Sequence, residues 1–479
     1  MSKEEKERLT QTSRLLALAG GVELFHSPEG DAYALVPLEN HKETLPLRGK
    51  DFRSWLLREY FLVESKAPGG QALADATATL EAKAKFDGPE NHVHIRVATH
   101  EGAYYVDLCN EHWRVVRVSA EGWSVEKESP VRFRRSRSMS SLPLPKQGGN
   151  LNDLFPFINV KREEDQRLLL AYMVSCLRER GPFPILVLQG EQGSAKSTTA
   201  RVIRSLIDPS TASLRTMPKD EHNLLIAAKN SWLLSFDNLS GIPAWLSDAL
   251  CRIATGAGFS TRELYTDADE VIFNAQRPVM ANGIDELAVR EDLKSRVINL
   301  YLPTISPEER RDEEGFWKTF EEAKPLILGA MLDALSGALR NLRDIDAQCL
   351  PRMADFSILG MALEKALEWP SGSFGAAYEE NHAQAAEQSI ENDPVAQGIL
   401  EILREENPKQ GTATKWLKDL NDRVEESIRR SPAWPKGPQA LSNRIRRLSP
   451  ALRSFGVEIH VARVGHDRSR IINMERKGK

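Results

Sequence analysis

Residues 184–197 read Pro-Ile-Leu-Val-Leu-Gln-Gly-Glu-Gln-Gly-Ser-Ala-Lys-Ser, an apolar run that passes directly into a glycine-rich loop. A short apolar run of this kind favours a buried strand, and residues 198–206 continue with the pattern of a helix. In such a strand-loop-helix unit the backbone N–H groups turn inward and can cradle phosphates. Lys196 can reach the β- and γ-phosphates, and the Ser197 hydroxyl can hold Mg²⁺. The stretch therefore predicts a binding site for ATP and Mg²⁺.

The predicted nucleotide contacts are consecutive residues of this loop and of the helix that follows. They are Gly190, Glu191, Gln192, Gly193, Ser194, Ala195, Lys196, Ser197 and Thr198. The N-terminus of the helix adds a partial positive charge that favours phosphate. Ala195 stands where the pattern prefers glycine, and a chance glycine-rich turn is the alternative. We favour the phosphate loop because strand, loop and helix occur in the order that it requires.

Length and composition set the limits for the rest of the chain. The 479 residues are enough for about three or four domains, and 41% hydrophobic content can build ordinary cores. No run approaches the ~18 apolar residues of a membrane span, and the charged N-terminus lacks a signal peptide's apolar segment. We therefore expect a cytoplasmic protein that does not associate with membranes. The four cysteines are far apart, which argues against a disulfide framework or a zinc knuckle.

Composition and periodicity divide the chain into four predicted domains. Residues 1–148 form an N-terminal α+β module with alternating strands after residue 91. The Pro- and Gly-rich stretch 142–150 is the linker at its end. Residues 149–305 form a nucleotide-binding core, in which alternating strands and helices favour a parallel sheet covered on both faces. Residues 306–390 are a helical lid, and residues 391–479 are a C-terminal domain.

A second carboxylate is needed to hold Mg²⁺ beside the phosphate loop. The apolar run 232–236 ends in Asp237 and Asn238, about forty residues after the loop. Asp237 is therefore the predicted partner of Ser197, and an Asp-Asn turn that closes a core strand is the alternative. Many ATPases carry a glutamate where Asn238 stands. An amide can only orient water through hydrogen bonds, so we expect slow hydrolysis or the use of another carboxylate.

Two further positions complete the predicted catalytic set. Residues 277–283 form a strand that ends in Asn282, whose amide can contact the γ-phosphate or the attacking water, although such a residue is often only part of a turn. Residues 289–296 precede another strand, and in ring ATPases an arginine at this point reaches the neighbouring subunit's site. Arg296 is the first candidate and Arg290 the second. A solvated basic helix face is the alternative for either.

These motifs, taken together, resemble those of a known family. The likeness rests on residues 190–197, 236–238, 255–265, 282–283 and 292–296, which stand in the order found in phage, plasmid and poxvirus-type primase-helicases. These proteins belong to the AAA+ superfamily-three helicases. The resemblance covers about residues 150–305 and implies an α/β P-loop NTPase (AAA+) core, a homo-oligomeric, hexameric ring, and single-stranded DNA in its pore. By this resemblance Arg262 is a candidate pore contact.

The last segment carries the sequence signal for nucleic acid. Helices predicted over 395–405, 414–430 and 439–455, followed by a basic hairpin, are typical of a winged helix. From Lys436 onward there are eleven Lys and Arg residues against three Asp and Glu, a density typical of a phosphate-binding surface. A basic tail that only aids solubility is the alternative. The candidate DNA contacts are Arg444, Arg446 and Arg447 on the third helix and Arg463, Arg468 and Arg470 around the hairpin.

The sequence thus favours an ATP-dependent, ring-forming DNA helicase or translocase that acts in replication of a mobile genetic element. Single-stranded DNA would occupy the pore, and the winged helix would bind duplex. The alternative is a nucleic-acid-sensing ATPase switch, a replication regulator or defence component, that does not unwind processively. A small-molecule kinase built on the same loop is disfavoured because it would have no use for the basic C-terminal domain.

Overall fold

The computed structural model describes residues 10–256, 259–262, 270–273, 276–283, 287, 290–346, 350–391, 393–431, 434–464 and 469–477. The fold is mixed α/β, and its largest parallel sheet lies in the middle of the chain. No helix in these ranges is both long and apolar enough to cross a membrane.

The described part of the N-terminal region contains two antiparallel sheets and one parallel pair of short strands, Val93–His94 with Arg132–Phe133. The first part comprises α1 (Gln11–Leu18), β1 (Glu23–His26), β2 (Ala32–Pro37), β3 (Lys42–Pro46), α2 (Lys50–Glu64) and α3 (Gly70–Phe86). The second comprises β4 (Val93–His94), β5 (Val97–His100), β6 (Ala103–Asp107), β7 (Val115–Ser119), β8 (Gly122–Glu126) and β9 (Arg132–Phe133). The alternating pattern after residue 91 predicts a strand over residues 92–97, but this strand is interrupted, because Arg96 has a φ of 64° and its side chain turns into the interior.

The central region alternates strands and helices, as its sequence pattern predicts. Its elements are α4 (Glu163–Ser175), β10 (Ile185–Gln189), α5 (Lys196–Ile207), α6 (Glu221–Asn230), β11 (Leu234–Leu239), α7 (Ala244–Thr255), β12 (Phe259–Arg262), β13 (Glu270–Phe273), β14 (Val279–Gly283), α8 (Glu291–Lys294) and β15 (Val297–Tyr301). Four strands pair in parallel in the order β11-β14-β10-β15, and β12 pairs with β13 in an antiparallel hairpin.

The parallel sheet is buried on both faces. Successive side chains of a strand point to opposite faces. Leu186 and Leu188 of β10 accordingly pack in one core with α4 and α5. Ile185 and Val187 pack in a second core with α6 and α7. This confirms the prediction of a parallel sheet with helices on both faces.

A helical region follows, formed by α9 (Glu313–Asn341), α10 (Ala354–Ala366) and α11 (Ser373–Glu391). The buried Asn381 of α11 closes the open edge of β15: its Oδ1 accepts from Asn299 N at 3.0 Å and its Nδ2 donates to Asn299 O at 2.6 Å. These bonds satisfy backbone groups that an edge strand otherwise leaves unpaired. The strands β5 to β7 share one core with α4, α9 and α10, so the packing is continuous across the predicted boundary at residue 148, which stays a prediction.

The C-terminal region has its own core around Trp416, Leu441 and Ile445. It comprises α12 (Pro394–Glu405), β16 (Lys409–Thr412), α13 (Ala413–Asn421), α14 (Glu426–Arg430), α15 (Pro438–Ser454), β17 (Val457–Val464) and β18 (Ser469–Arg476). The three strands pair antiparallel in the order β16-β18-β17. The helix predicted over 414–430 is two helices in the structure, and the sequence analysis missed β16.

Candidate functional site

The glycine-rich loop joins the carboxyl end of β10 to the first turn of α5. Gly190 and Gly193 have φ angles of 151° and 84°, and Ala195, which precedes the helix, has a φ of 58°. A Cβ on Gly190 would lie 2.4 Å from Leu302 O, so this position requires glycine. The left-handed backbone of Ala195 explains why glycine would fit there with less strain.

The Lys196 side chain folds back over this loop. Its Nζ donates to Gly190 O at 2.8 Å and to Glu191 O at 2.7 Å. Partial burial lowers the pKa of Lys196 from its ordinary value, and the charge of Asp237 opposes this shift. The ammonium group is thus held above the backbone that would face a phosphate.

Ser197 and Asp237 are brought together as the sequence predicts. Ser197 Oγ donates to Asp237 Oδ1 at 2.8 Å. Asp237 lies near the end of β11, and its backbone N donates to Arg215 O. A hydroxyl and a carboxylate therefore stand side by side at the carboxyl edge of the sheet, and both are oxygen ligands of the kind that Mg²⁺ uses.

Asn238 and Asn282 form the next pair along this edge. Asn238 has a φ of 54°, its side chain is exposed, and its backbone N donates to Asn282 Oδ1 at 2.7 Å. The register of β11 shifts at this point, between Phe236 and Leu239. Asn282 is buried, and its Nδ2 has no partner among the described residues. A buried donor of this kind is costly unless something accepts from it.

The sequence analysis missed the residues that hold the outer side of the loop. Asn159 Nδ2 donates to Ser194 O at 3.1 Å and to Pro303 O at 2.6 Å. The segment after β15 also follows the loop, since Ile305 N donates to Gly193 O. No local pattern distinguishes Asn159, because its partners lie 35 and 144 residues away.

A cavity of about 800 Å³ adjoins the loop. Gly193, Ala195 and Thr198 line its inner side, and Ile305 and Trp317 line part of the rest. Its size falls within the range of small-ligand pockets, and its mixture of aromatic and polar side chains is typical of them.

The two predicted catalytic arginines lie at the other edge of the sheet. Arg296 directly precedes β15, and its carbonyl accepts from Ile185 N at the start of β10, whereas the loop follows the end of β10. Its Nη1 donates to Asp292 O. Arg290 is exposed and pairs with Asp248 at 2.7 Å, and its hydrogen bond to Asp292 raises its pKa. The structure therefore does not bring either arginine to the loop of the same chain.

The DNA-contact candidates of the C-terminal region differ in whether they are paired within the domain. Arg444 binds Asp393, whose carboxylate also caps α12, so its guanidinium is engaged within the domain. Arg446 and Arg447 are exposed on α15, and Arg470 is exposed on β18. The backbone of Arg463 is in register with Arg470 across the hairpin.

Two of the predicted DNA contacts are described only in part, and a third lies outside the described residues. The backbone of Arg262 lies in β12, opposite Glu270 of β13, but its side chain is outside the described residues. The Arg463 side chain is also outside them, as is the whole of Arg468. Their predicted DNA contacts stay predictions.

Comparison with solved structures defines the class of fold. The structure is similar to one titled "SCCmec type IV Cch - active helicase", with 13% sequence identity, a TM-score of 0.51, and coverage of 95% of this chain and 93% of that one. An apo structure of the NrS-1 C-terminal region matches with 11% identity and a TM-score of 0.41, over 97% of this chain and 98% of that one. The first of these two likenesses shows a fold similar to that of a helicase. No curated protein matches the sequence.

Two family matches identify the chain more closely. Residues 151–378 match the actinomycete integrative conjugative element replication protein, and residues 395–479 match the C-terminal domain of that replication protein. Together the two matches cover more than half of the chain. The chain belongs to this family of mobile-element replication proteins, and the resemblance noted in the sequence is confirmed.

Proposed function

We propose that this protein is an Mg²⁺-dependent ATPase that works as a ring-forming DNA helicase or translocase in replication of its mobile element. The observation that carries the proposal is the hydrogen bond between Ser197 and Asp237, beside the lysine-bearing loop at the carboxyl edge of the parallel sheet. This arrangement matches a P-loop NTPase of the AAA+ type. Ligands of open parallel sheets bind outside the carboxyl ends of the strands.

The loop is suited to triphosphate binding. Gly190 leaves no room for a Cβ, so the backbone can approach a ligand closely. Lys196 can exchange its two loop carbonyl partners for phosphate oxygens, and the N-terminus of α5 adds its dipole. The adjoining cavity of about 800 Å³ is large enough for the nucleoside.

Ser197 and Asp237 would hold Mg²⁺, which supplies neutralisation of the charge on the phosphates. Both present oxygen atoms at the same point of the sheet edge, and their present hydrogen bond would be replaced by shared coordination of the ion. Partial burial lowers the pKa of Lys196, and the negative charge of Asp237 acts against that shift.

The two asparagines are suited to positioning the attacking water. Asn282 uses its oxygen to hold the backbone of Asn238, and its Nδ2, which has no partner in the described part of the chain, could bond the γ-phosphate or the water. Asn238 exposes its side chain, but an amide cannot act as a base. We therefore expect slow turnover unless another carboxylate removes the proton.

An arginine from a neighbouring subunit would complete the site. Arg296 and Arg290 lie at the amino ends of the strands, away from the loop of their own chain. In a ring, the amino edge of one sheet can face the carboxyl edge of the next. Arg296 is the first candidate for stabilising transition-state charge in trans.

The C-terminal region is suited to binding duplex DNA as a winged helix. Its order of one helix, one strand, further helices and a two-stranded hairpin supports a winged helix, in which α15 would be the recognition helix. The side chains of Asn443, Arg446, Arg447 and Arg453 are exposed. The three arginines follow Asn443 by three, four and ten residues, which places all four along one side of α15. Membership of a replication family supports DNA as the partner.

A strand-displacement assay on a forked duplex tests the proposal. We expect unwinding that requires ATP and disappears in Lys196→Ala, while Lys318→Ala, an exposed lysine on α9, unwinds like the wild type. ATP turnover that DNA stimulates without any displacement would favour the second candidate, a nucleic-acid-sensing switch. That candidate is favoured specifically by Asn238, which stands where a catalytic base is expected.

A further inference from the structure

The arginine-rich run at residues 132–137 differs from the C-terminal basic residues because it crosses the joint between the N-terminal region and the parallel-sheet core. Two of its four arginines are neutralised by carboxylates. Arg132 donates to Glu23, and Arg135 binds the buried Asp107 with two nitrogens, at 2.6 and 2.9 Å.

The positive charges of the other two, Arg134 and Arg137, are compensated much less. Within the described residues, Arg134 donates only to neutral oxygens. These are the Lys229 carbonyl and Asn230 Oδ1 at the end of α6. Arg137 reaches Asp51 at 3.5 Å, but the two side chains are 70% and 66% exposed. An ion pair so exposed contributes little binding energy and can be exchanged at low cost.

Both arginines line an open groove of about 740 Å³. We call it the Arg137 groove; segment 134–138, part of β3 and the stretch 212–230 form its walls. Arg215 on the far wall adds a third guanidinium, which donates to the neutral Ser231 Oγ and has a buried Nε with no partner among the described residues. Of the carboxylates lining the groove, Glu43 is already bonded to Trp113 and His41.

The walls of the groove are held together before any ligand arrives. Ser136 Oγ donates to Asn230 O at 2.8 Å, and Thr211 N donates to Ser138 O at 2.9 Å. Arg134 joins the same end of α6. Because hydrogen bonds fix the groups in place, little conformational entropy would be lost on binding.

We propose that the Arg137 groove binds the backbone of single-stranded DNA. Planar guanidinium groups match phosphate oxygens. Those of Arg134, Arg137 and Arg215 line this groove, and within the described residues none of the three is strongly bound to a carboxylate. Ile226, 48% exposed on one wall, offers an apolar surface to a sugar or base. A cavity of this volume has the size of a small-ligand pocket, so it holds a few nucleotides and excludes a double helix.

The groove is connected directly to the proposed ATP site. Arg215 N donates to Ser235 O and Arg215 O accepts from Asp237 N, so the wall that carries Arg215 is paired with β11 next to the proposed Mg²⁺ ligand. DNA that engages Arg215 would therefore contact a residue whose backbone is hydrogen-bonded directly to that of Asp237. This inference rests on the proposed function, which makes DNA the substrate.

Fluorescence anisotropy of labelled oligo(dT) with the full-length protein tests the proposal, with Arg137→Glu as the variant. Arg58→Glu is the matched control, because Arg58 is 60% exposed on α2 of the same region and pairs only with the adjacent Glu59 in its recorded contacts. We expect Arg137→Glu to weaken oligo(dT) binding roughly tenfold and to reduce the slope of log affinity against log salt by about 0.7 for each lost phosphate contact. Arg137→Lys should retain most of the affinity.

A duplex probe and Arg446→Glu separate this inference from the proposed function. Arg446→Glu should weaken duplex binding, and Arg137→Glu should leave it unchanged. If Arg137→Glu binds oligo(dT) as tightly as Arg58→Glu does, the groove proposal is overturned while DNA binding by the C-terminal region stands. If the wild type binds neither probe, both proposals are overturned.

Discussion

The two edges of the four-stranded parallel sheet differ in what they hold. At the carboxyl edge, Ser197, Asp237 and Asn282 bond to neighbouring polar groups and keep capacity for further ligands. At the amino edge, Arg296 is bonded to the backbone of its own chain. Because parallel strands all point the same way, residues that follow the strands and residues that precede them lie at opposite ends of the sheet. The length of the strands separates them. One chain therefore holds both halves of the proposed site but cannot join them.

The amino edge also carries a buried ionic cluster. Arg96 and Asp208 are 0% and 1% exposed and lie 3.0 Å apart. Asp208 follows α5, the helix that begins at Lys196, and its second oxygen accepts from the backbone N–H groups of Trp232 and Leu233 just before β11. This edge thus joins the N-terminal region to the sheet, and the opposite edge is left available for ligands.

The strongest test of the two-edge comparison is complementation between variants. Arg296→Ala should lower ATP turnover on the order of 10³-fold, because an arginine supplied in trans contributes at least that much. Lys196→Ala should also be inactive. Mixed rings of these two variants should regain turnover, measured as released phosphate, since some interfaces would pair an intact loop with an intact arginine.

Mixtures of Lys196→Ala with Asp237→Asn provide the control. Both changes lie at the carboxyl edge, so every site in such a ring has a damaged loop or metal ligand, and no activity should return. Recovery in this control, or none in the first mixture, would contradict the trans assignment of Arg296.

Asp208→Asn tests the amino edge. Removing one partner of a buried ion pair leaves an uncompensated charge, so we expect the free energy of unfolding to fall by about 3–5 kcal/mol. Urea denaturation followed by circular dichroism measures this change. Asp75→Asn, an exposed position on α3, should have little effect. An Asp208→Asn protein as stable as the wild type would show that the cluster does not hold the two regions together.

Ser197→Ala sharpens the assignment at the carboxyl edge. Loss of a predicted oxygen ligand should raise the Mg²⁺ concentration for half-maximal turnover by roughly 10- to 100-fold. Ser205→Ala is the matched control on α5, because Ser205 Oγ bonds only within the helix in its recorded contacts. Equal Mg²⁺ dependence in the two variants would remove Ser197 from the metal site.

The smallest predicted effect concerns Asp165, which is buried in the first turn of α4. Burial raises its pKa to about 6. The folded state therefore binds more protons than the unfolded state between about pH 4 and 6, so stability falls as the pH rises through this range. Asp165→Asn should remove this dependence and stabilise the protein by about 1 kcal/mol at pH 7.5.

Thermal unfolding at pH 7.5 and at pH 4.5 measures this difference. The variant should unfold at a higher temperature than the wild type at pH 7.5 and at nearly the same temperature at pH 4.5. A gain of equal size at both pH values would point to a cause other than ionisation.

The sequence allowed the central strands and helices to be predicted closely. The strand before Gly190 and the helix after Ala195 follow from local apolar patterns and from glycine's backbone freedom. The approach of Ser197 to Asp237 was also predictable, because both follow parallel strands, whose carboxyl ends meet. Asn159 was missed, since only its distant partners at Ser194 and Pro303 give it a role.

The arginines show where sequence reasoning stops. Arg444, Arg446 and Arg447 look alike in the chain, yet the first binds Asp393 and the other two are exposed. Pairing of a guanidinium depends on which carboxylate the fold brings within a few ångströms, often from a distant segment.

By itself the sequence determined the glycine-rich loop between a strand and a helix, the order of the strands along the chain and the excess of positive charge after Lys436, because these depend on local pattern and composition. Only the tertiary structure decided the order of strands in the sheet, the insertion of Arg96 beneath α5, the closure of β15 by Asn381 and the separation of the arginines from the loop. Each of these is a contact between segments far apart in the chain, set by packing of the whole molecule.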